Sequence, residues 1–136
     1  MAIDSKRGVR TEVPLRWRDL DLLGHLNQAV YHELLEEGRG ALFASLEDNT
    51  FPFVLAHVSL DYRHEVRRDH GHVVVVSRVG RVGRTSVTTE ERIELPDGTL
   101  AAEGTAVLVA WDMQARRSRE LSETERAALG EPSSSG

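Results

Sequence analysis

The sequence from Arg16 to Tyr31 reads RWRDLDLLGHLNQAVY and marks the junction between a strand and a long helix. Upstream, apolar and polar side chains alternate over the second half of residues 9–18, which is typical of a half-buried strand. Downstream, Asn27 is a good helix cap, because its side-chain oxygen accepts a backbone N–H that has no partner in the first turn. We predict a strand over residues 9–18 and a helix from Gln28 to about Leu46.

The predicted helix contains two glycines, Gly38 and Gly40. Each glycine in a helix interior costs about 1 kcal/mol relative to alanine, because its backbone loses more freedom on folding. Two of them in one helix indicate that the helix packs closely against a flat surface such as a sheet.

The sequence beyond Pro52 is dominated by β-branched and aromatic residues, which favour strands. The predicted strands are 53–62, 72–79, 85–95 and 100–111. Between the last two, Pro96-Asp97-Gly98 predicts a tight turn and so an antiparallel hairpin. Ser122 and Glu125 have capping-box spacing, which predicts a short closing helix. This order of elements indicates an α+β fold with one antiparallel sheet and helices on one side.

Polar residues with catalytic potential gather at the junction of the first strand and the long helix. A helix N-terminus carries free N–H groups and the positive end of the helix dipole. Both stabilise the negative oxygen that forms when a carbonyl is attacked. Asp21, a few residues upstream, places a carboxylate within reach of the same carbonyl. The junction is therefore the candidate active site.

The junction resembles the signature of the 4-hydroxybenzoyl-CoA thioesterase family within the hotdog superfamily, which reads approximately aromatic-x-D-x-D-x-x-G-H-V-N-N-x-x-Y. The matching residues are Trp17, Asp19, Asp21, Gly24, His25, Leu26, Asn27 and Tyr31. Glu36, Glu37 and Arg39 match the E-E-x-R that commonly closes the family helix. Two features depart from the family pattern: Gln28 replaces a second asparagine, and residues 63–72 lack the usual proline and Gly-Asp turn.

The resemblance implies a hotdog fold, in which a curved antiparallel sheet of about five strands wraps a long central helix. We expect one hotdog thioesterase domain over residues 1–130 and a flexible C-terminal tail over residues 131–136. The implied reaction is hydrolysis of an acyl-CoA thioester, with Asp21 as nucleophile or as general base for water and His25 as a second catalytic residue. We expect substrate contacts from Gly24, Asn27, Gln28, Tyr31, Ser59, Arg84 and Ser86.

The family's active sites lie at the interface of a homodimer, so the resemblance also implies a homodimer or a dimer of dimers. Asp21 and the helix N-terminus would come from one protomer, and the strand backbone near His57 to Asp61 from the other. No cofactor is expected, since coenzyme A is part of the substrate. No metal is expected either, because His64-Glu65 lacks the second histidine of H-E-x-x-H.

Several residues have a second interpretation that the sequence leaves open. His25 is equally suited to hold the turn through a backbone hydrogen bond, and Asp19 to brace the loop. Arg78, Arg81 and Arg84 either face the phosphates of coenzyme A or form a solvated charge run. Phe43, Phe51 and Phe53 are candidates to line an acyl pocket, for either an aromatic or an aliphatic group.

Two other functions fit the same fold. One is a hydratase or dehydratase acting on an acyl thioester, and the other is a non-catalytic acyl-CoA binding module. Only hydrolysis releases a free thiol, so that product separates hydrolysis from the other two. The binding module would bind acyl-CoA with unchanged affinity in Asp21→Asn and show no turnover in either form.

Composition excludes several function classes. The net charge of −5 argues against a nucleic-acid binder, which usually needs a basic face. The chain has no cysteine, so it has neither disulfides nor a thiol nucleophile. No apolar run approaches the roughly 18 to 20 residues of a membrane span, and the N-terminus has no signal peptide. We therefore expect a cytoplasmic protein without membrane or nucleic-acid partners.

Overall fold

The structure is a computed structural model that describes residues 8–16, 19–46 and 52–130. Its elements are β1 (Val9–Pro14), α1 (Gln28–Ala44), β2 (Phe53–Tyr62), β3 (His72–Val82), β4 (Ser86–Glu94), β5 (Leu100–Asp112), β6 (Arg117–Ser118) and α2 (Glu123–Ala128), with a short 3-10 turn at Arg68–His70. The expected tail over residues 131–136 lies outside the described residues. No helix in the three described ranges is long and apolar enough to cross a membrane.

The strands form one antiparallel sheet in the order β1-β3-β4-β5-β2, with β6 paired to β5. Helix α1 packs across it, in contact with β1, β3 and β4. The predicted α+β hotdog fold is confirmed. All four strands predicted beyond Pro52 are present, and the predicted hairpin joins β4 to β5 through Gly98, which adopts a positive φ of 93°.

The first strand is shorter than predicted. It ends at Pro14 instead of continuing to Arg18, which lies outside the described residues. The physical reason is a tight turn that starts two residues later. The backbone N–H of Asp19 donates to the Arg16 carbonyl at 3.0 Å, and the N–H of Arg16 donates to Asp19 Oδ2 at 2.8 Å. These hydrogen bonds take the place of further pairing between β1 and β3.

Helix α1 begins after Asn27 as predicted, and the Asn27 side chain accepts the N–H of Ala29 at 3.0 Å. The interpretation of its glycines is confirmed at only one of the two. A methyl group added at Gly38 would collide with Val75 of β3, so the helix backbone lies directly on the sheet there. At Gly40 the interpretation is wrong, because nothing lies within 4 Å of the position that a Cβ would take.

The core forms two clusters, one at each end of α1. At the N-terminal end, Tyr31 meets Tyr62 edge-to-face with ring centroids 4.9 Å apart. At the C-terminal end, Phe43 meets Phe53 at 5.3 Å. Since β2 runs from Phe53 to Tyr62, α1 and β2 are antiparallel. The N-terminus of α1 therefore lies at the Tyr62 end of β2, and its C-terminus at the Phe53 end.

The closing helix α2 is also confirmed. Ser122 accepts the N–H of Glu125 at 3.1 Å, and Glu125 accepts the N–H of Ser122 at 2.8 Å, which completes the predicted capping box.

Candidate active site

The segment between β1 and α1 folds into a tight turn around the carboxylate of Asp21. Its Oδ1 accepts the backbone N–H of Leu23 at 2.9 Å and of His25 at 3.1 Å. Its own N–H donates to the His25 carbonyl at 2.8 Å, and its carbonyl accepts the N–H of Gly24 at 3.0 Å. The short aspartate side chain thus closes a turn by bonding its own backbone two residues on. The carboxylate is held in place yet exposed.

Gly24 adopts a φ of +78°, the left-handed region that glycine enters without steric cost. Nothing lies within 4 Å of the position that its Cβ would take. The conformation of the turn, and not contact within the chain, therefore requires glycine at this position.

The helix entry is fixed to the same turn. The N–H of Asn27 donates to the Asp19 carbonyl at 2.7 Å, while the Asn27 side chain caps α1. Gln28, the first helical residue, is exposed, and the N–H at that position has no intrahelical acceptor. A free donor and the positive end of the helix dipole therefore follow the Asp21 turn.

Asp19 braces this arrangement from below. Its side chain is 2% exposed and pairs with Arg16, whose Nη2 lies 2.9 Å from Asp19 Oδ1. The structure therefore supports the interpretation that Asp19 stabilises the loop.

The imidazole of His25 contacts a residue that the sequence did not single out. His25 Nε2 lies 2.8 Å from Oε1 of Glu65. Arg67 donates from Nη1 to the other oxygen of Glu65 at 3.0 Å, and this hydrogen bond is the main reason that the pKa of Glu65 lies below its usual value. Glu65 falls within the segment that departs from the family pattern, so no motif identified it.

The segment that carries Glu65 lies along the Asp21 turn. Leu26 donates its N–H to the Val66 carbonyl at 2.9 Å, and Arg68 donates to the Gly24 carbonyl at 3.4 Å. Val66 is fully buried beneath this contact. Residues 63–72, which depart from the family pattern, therefore pack against the Asp21 turn.

The tip of the turn exposes two large apolar side chains. Leu22 is fully exposed and Leu23 is 79% exposed. Two adjacent leucines in this state form an apolar tip beside the Asp21 carboxylate.

The other predicted substrate-binding residues lie at different places. Tyr31 is buried in the core, where burial raises the pKa of its hydroxyl. Ser59 is exposed on β2, with its Oγ 3.4 Å from Oγ1 of Thr105. Arg84 precedes β4, and Ser86 is its first residue. Ser86 pairs with β5, and β5 pairs in turn with the Phe53 end of β2. Within one chain Arg84 and Ser86 lie at the end of the sheet opposite to the Asp21 turn.

The three arginines proposed for phosphate contacts differ in their pairing. Arg78 donates from Nε to Glu90 at 2.7 Å, and Arg84 donates from Nη1 to Glu120 at 2.9 Å. Across the described residues Arg81 has no ion-pair partner, and it is exposed. Their contact with coenzyme A stays a prediction, and Arg81 has the most available charge.

A cavity of about 460 Å³ opens between α1 and β2. Its apolar lining consists of Gly40, Phe43, Phe53, Leu55 and Leu108, and its polar lining of the exposed His32, Glu33 and Glu36 and the buried Arg39. Two of the three phenylalanines suggested for an acyl pocket line it, and the third, Phe51, lies outside the described residues. Its volume falls in the range of small-molecule sites, roughly 300–1,000 Å³.

Histidines and carboxylates do not converge on a metal site in the described parts of the chain, where no group of three or more is placed to hold an ion. His64 and His70 each bond neighbouring backbone instead.

Comparison with known proteins supplies a family context. A family model described as the thioesterase-like superfamily matches residues 15–129. A Thermus thermophilus thioesterase, solved in complex with coenzyme A and zinc, is 32% identical, with 91% of this chain and 96% of that chain covered and a TM-score of 0.79. A candidate thioesterase of Pseudomonas aeruginosa is 31% identical, with 88% and 96% covered and a TM-score of 0.76.

The fold itself extends to more distant proteins. A Staphylococcus aureus protein in complex with CoA is 14% identical, with 91% of this chain and 85% of that chain covered and a TM-score of 0.80. No protein with a curated description matches the chain at comparable significance.

Proposed function

Because the chain belongs to the thioesterase-like superfamily, we propose that it hydrolyses acyl-CoA thioesters to a free acid and coenzyme A, with Asp21 as the catalytic carboxylate. The coenzyme A bound by the Thermus thermophilus relative, at 32% identity, supports this class of substrate.

The observation that carries the proposal is the hydrogen bonding of the Asp21 carboxylate and its position just before the N-terminus of α1. Both hydrogen bonds from the turn go to Oδ1, and no described residue donates to Oδ2. One oxygen is therefore anchored while the other is exposed and available to substrate or water. Asp112 has the same hydrogen bonding, so what distinguishes Asp21 is that its turn leads directly into the N-terminus of α1.

Two routes lead from this carboxylate to products. As general base, Asp21 takes a proton from water while the water oxygen attacks the thioester carbonyl; the C–S bond then breaks and coenzyme A leaves as the thiolate, which takes up a proton. As nucleophile, Asp21 attacks the carbonyl itself, coenzyme A leaves, and water hydrolyses the resulting anhydride. Both routes form a negative oxygen that the helix N-terminus at Gln28 stabilises.

We further propose that the site is completed by a second copy of the chain. Strand β2 lies at the edge of the sheet and pairs only with β5 among the described elements. An uncovered edge strand is a template for pairing. Val54, Leu55 and Tyr62 are large apolar residues exposed on this strand, which favours burial against another protein surface.

Antiparallel pairing of β2 with β2 of the second protomer would place the Tyr62 end of one strand beside the Phe53 end of the other. The Tyr62 end lies beside the helix N-terminus and the Asp21 turn of its own protomer. The Phe53 end carries the cavity between α1 and β2, and also Arg84 and Ser86. The predicted site residues that one chain holds apart would then share one cleft.

This arrangement assigns the cavity to the acyl group. Its aromatic and aliphatic lining suits an apolar chain or ring, and the exposed Leu22 and Leu23 of the partner would cover it. Glu33 and Glu36 in its polar lining disfavour an acyl group that ends in a carboxylate.

The test is a thioester panel read with a free-thiol reagent. Asp21→Asn should reduce kcat by about 10² to 10⁴. The matched control is Asp112→Asn, because Asp112 Oδ1 also accepts two backbone N–H bonds in an exposed turn, at 2.9 and 3.0 Å from Gln114 and Ala115. The control should leave turnover unchanged.

Binding of acyl-CoA without thiol release, in wild type as in Asp21→Asn, would instead indicate the binding module, provided that no water is added to an enoyl-CoA and none is lost from a hydroxyacyl-CoA. Single turnover in H₂¹⁸O tests the nucleophilic route: label in the Asp21 carboxylate shows that water attacked the aspartyl carbon of an anhydride. Attack at the acyl carbon, like the general-base route, labels only the product acid, so trapping of the anhydride with hydroxylamine is needed to separate those two cases.

A further inference from the structure

The contact between His25 and Glu65 joins two segments that are far apart in the sequence. His25 Nε2 lies 2.8 Å from Glu65 Oε1, a short distance for a nitrogen–oxygen hydrogen bond. The same two segments are also linked through an isolated β-bridge between His25 and Arg67. The side-chain contact thus lies on a fixed backbone frame.

Glu65 is itself held by a cation. Arg67 donates from Nη1 to Glu65 Oε2 at 3.0 Å and from Nε to Asp69 Oδ1 at 3.0 Å, so its guanidinium bridges two carboxylates. The hydrogen bond from Arg67 lowers the pKa of Glu65, which keeps this carboxylate ionised near neutral pH.

An ionised carboxylate accepts hydrogen bonds and carries no proton. The hydrogen shared by His25 and Glu65 must therefore lie on Nε2 of the imidazole. In the neutral ring the lone pair is then on Nδ1. Nδ1 has no partner among the residues that the structure describes, and the ring is 44% exposed.

The backbone of His25 is tied to the candidate nucleophile or base. Its N–H donates to Asp21 Oδ1 at 3.1 Å, and its carbonyl accepts the N–H of Asp21 at 2.8 Å. Two hydrogen bonds therefore join the backbone of His25 to Asp21, while the contact with Glu65 orients the ring.

We propose that Glu65 is a positioning residue that fixes His25 as the Nε2–H tautomer, so that Nδ1 accepts a hydrogen bond from the attacking water and holds it at Asp21. This inference rests on the proposed thioesterase function for its catalytic consequence. Its structural content, the tautomer and its dependence on Glu65, does not.

The tautomer is measured first, without substrate. In protein labelled with ¹⁵N-histidine, the ring signals of His25 are assigned with His25→Gln and recorded at a pH where the ring is neutral. Wild type should show a protonated Nε2 and a bare Nδ1. In Glu65→Gln the amide can donate or accept, so the signals should move toward a mixture of both tautomers. The control Glu103→Gln removes a carboxylate of similar exposure that pairs with Arg63 at 3.2 Å, and should change nothing.

Kinetics then tests the consequence. Glu65→Gln should lower kcat on an acyl-CoA by about tenfold, as loss of an orienting partner commonly does, with KM nearly unchanged. An Nδ1–H tautomer in wild type, or a tautomer that Glu65→Gln leaves unaltered, would overturn the proposal. A mixed tautomer with undiminished kcat would overturn it as well. Absence of thioester turnover in wild type would refute the proposed function alone, because the ring signals report on Glu65 independently.

Discussion

Arg39 donates from Nη1 to both carboxylate oxygens of Glu91, at 2.9 Å each, where helix α1 meets strand β4. The side chains are 9% and 1% exposed, and Thr89 donates to Glu91 Oε2 at 2.8 Å. Burial raises the pKa of Glu91, while Arg39 and Thr89 oppose that shift. The pair therefore anchors the helix through a polar contact inside an otherwise apolar interface.

Removing one partner of this pair should be far more damaging than removing both. We expect Arg39→Met to lower the free energy of unfolding by about 3–5 kcal/mol, because it leaves a buried carboxylate without its cation. Arg39→Met combined with Glu91→Leu should recover most of that loss. Urea denaturation at fixed protein concentration measures both. Equal losses in the single and the double variant would contradict the expectation.

The same pair shows where sequence reasoning ends. Arg39 was visible as the last residue of E-E-x-R, but Glu91 lies 52 positions away in a strand and belongs to no motif. Only the packing of α1 on the sheet brings the two together. Periodicity identifies a buried face, but it does not identify which polar residue on the facing strand completes an ion pair.

The two helix glycines predict opposite responses to the same substitution. Gly38→Ala gains about 1 kcal/mol of helix propensity but forces a methyl group against Val75, and overpacking typically costs about 1–3 kcal/mol. Gly40→Ala meets nothing within 4 Å and keeps the gain. We expect the midpoint of thermal unfolding to fall for Gly38→Ala and to rise for Gly40→Ala. A rise for both would show that α1 does not lie as close to β3 as the structure has it.

The cavity between α1 and β2 predicts a change in substrate preference. Leu55→Trp would fill part of it, so kcat/KM for decanoyl-CoA should fall by about tenfold or more relative to butanoyl-CoA, since each buried methylene contributes about 0.8 kcal/mol. The control is Val54→Trp, because successive side chains on a strand point to opposite faces and Val54 does not line the cavity. An equal change in both variants would place the acyl group elsewhere. Size-exclusion chromatography checks that neither variant alters the oligomeric state.

The extent to which the candidate site could be predicted depends on the sequence separation of its parts. Asp21, Gly24, His25 and Asn27 were found together because a single turn and a helix cap hold them, and local hydrogen bonds determine both. Glu65 was missed, because it reaches His25 only after β2 has crossed the sheet. Arg84 and Ser86 were named, yet their distance from Asp21 within one chain follows from sheet order, which no local pattern determines.

Glu125 predicts how stability changes with pH. Arg119 donates to its two oxygens at 2.8 and 2.7 Å, and this pairing, with the N–H of Ser122, lowers the pKa of Glu125 in the folded protein. A lowered folded-state pKa means that the contribution is present above the unfolded value of 4.5 and is lost as the pH falls through the folded value.

We therefore expect Glu125→Gln to destabilise the protein by about 1–3 kcal/mol at pH 7, because bonds to a charged group are lost. The difference between wild type and variant should shrink as the pH falls below 4.5. Denaturant unfolding across this range measures it. Glu123→Gln removes an exposed carboxylate from the same turn of α2 without touching the Arg119 fork, so its effect at pH 7 should be much smaller. A difference for Glu125→Gln that grew on acidification would mean that the fork does not favour the ionised carboxylate.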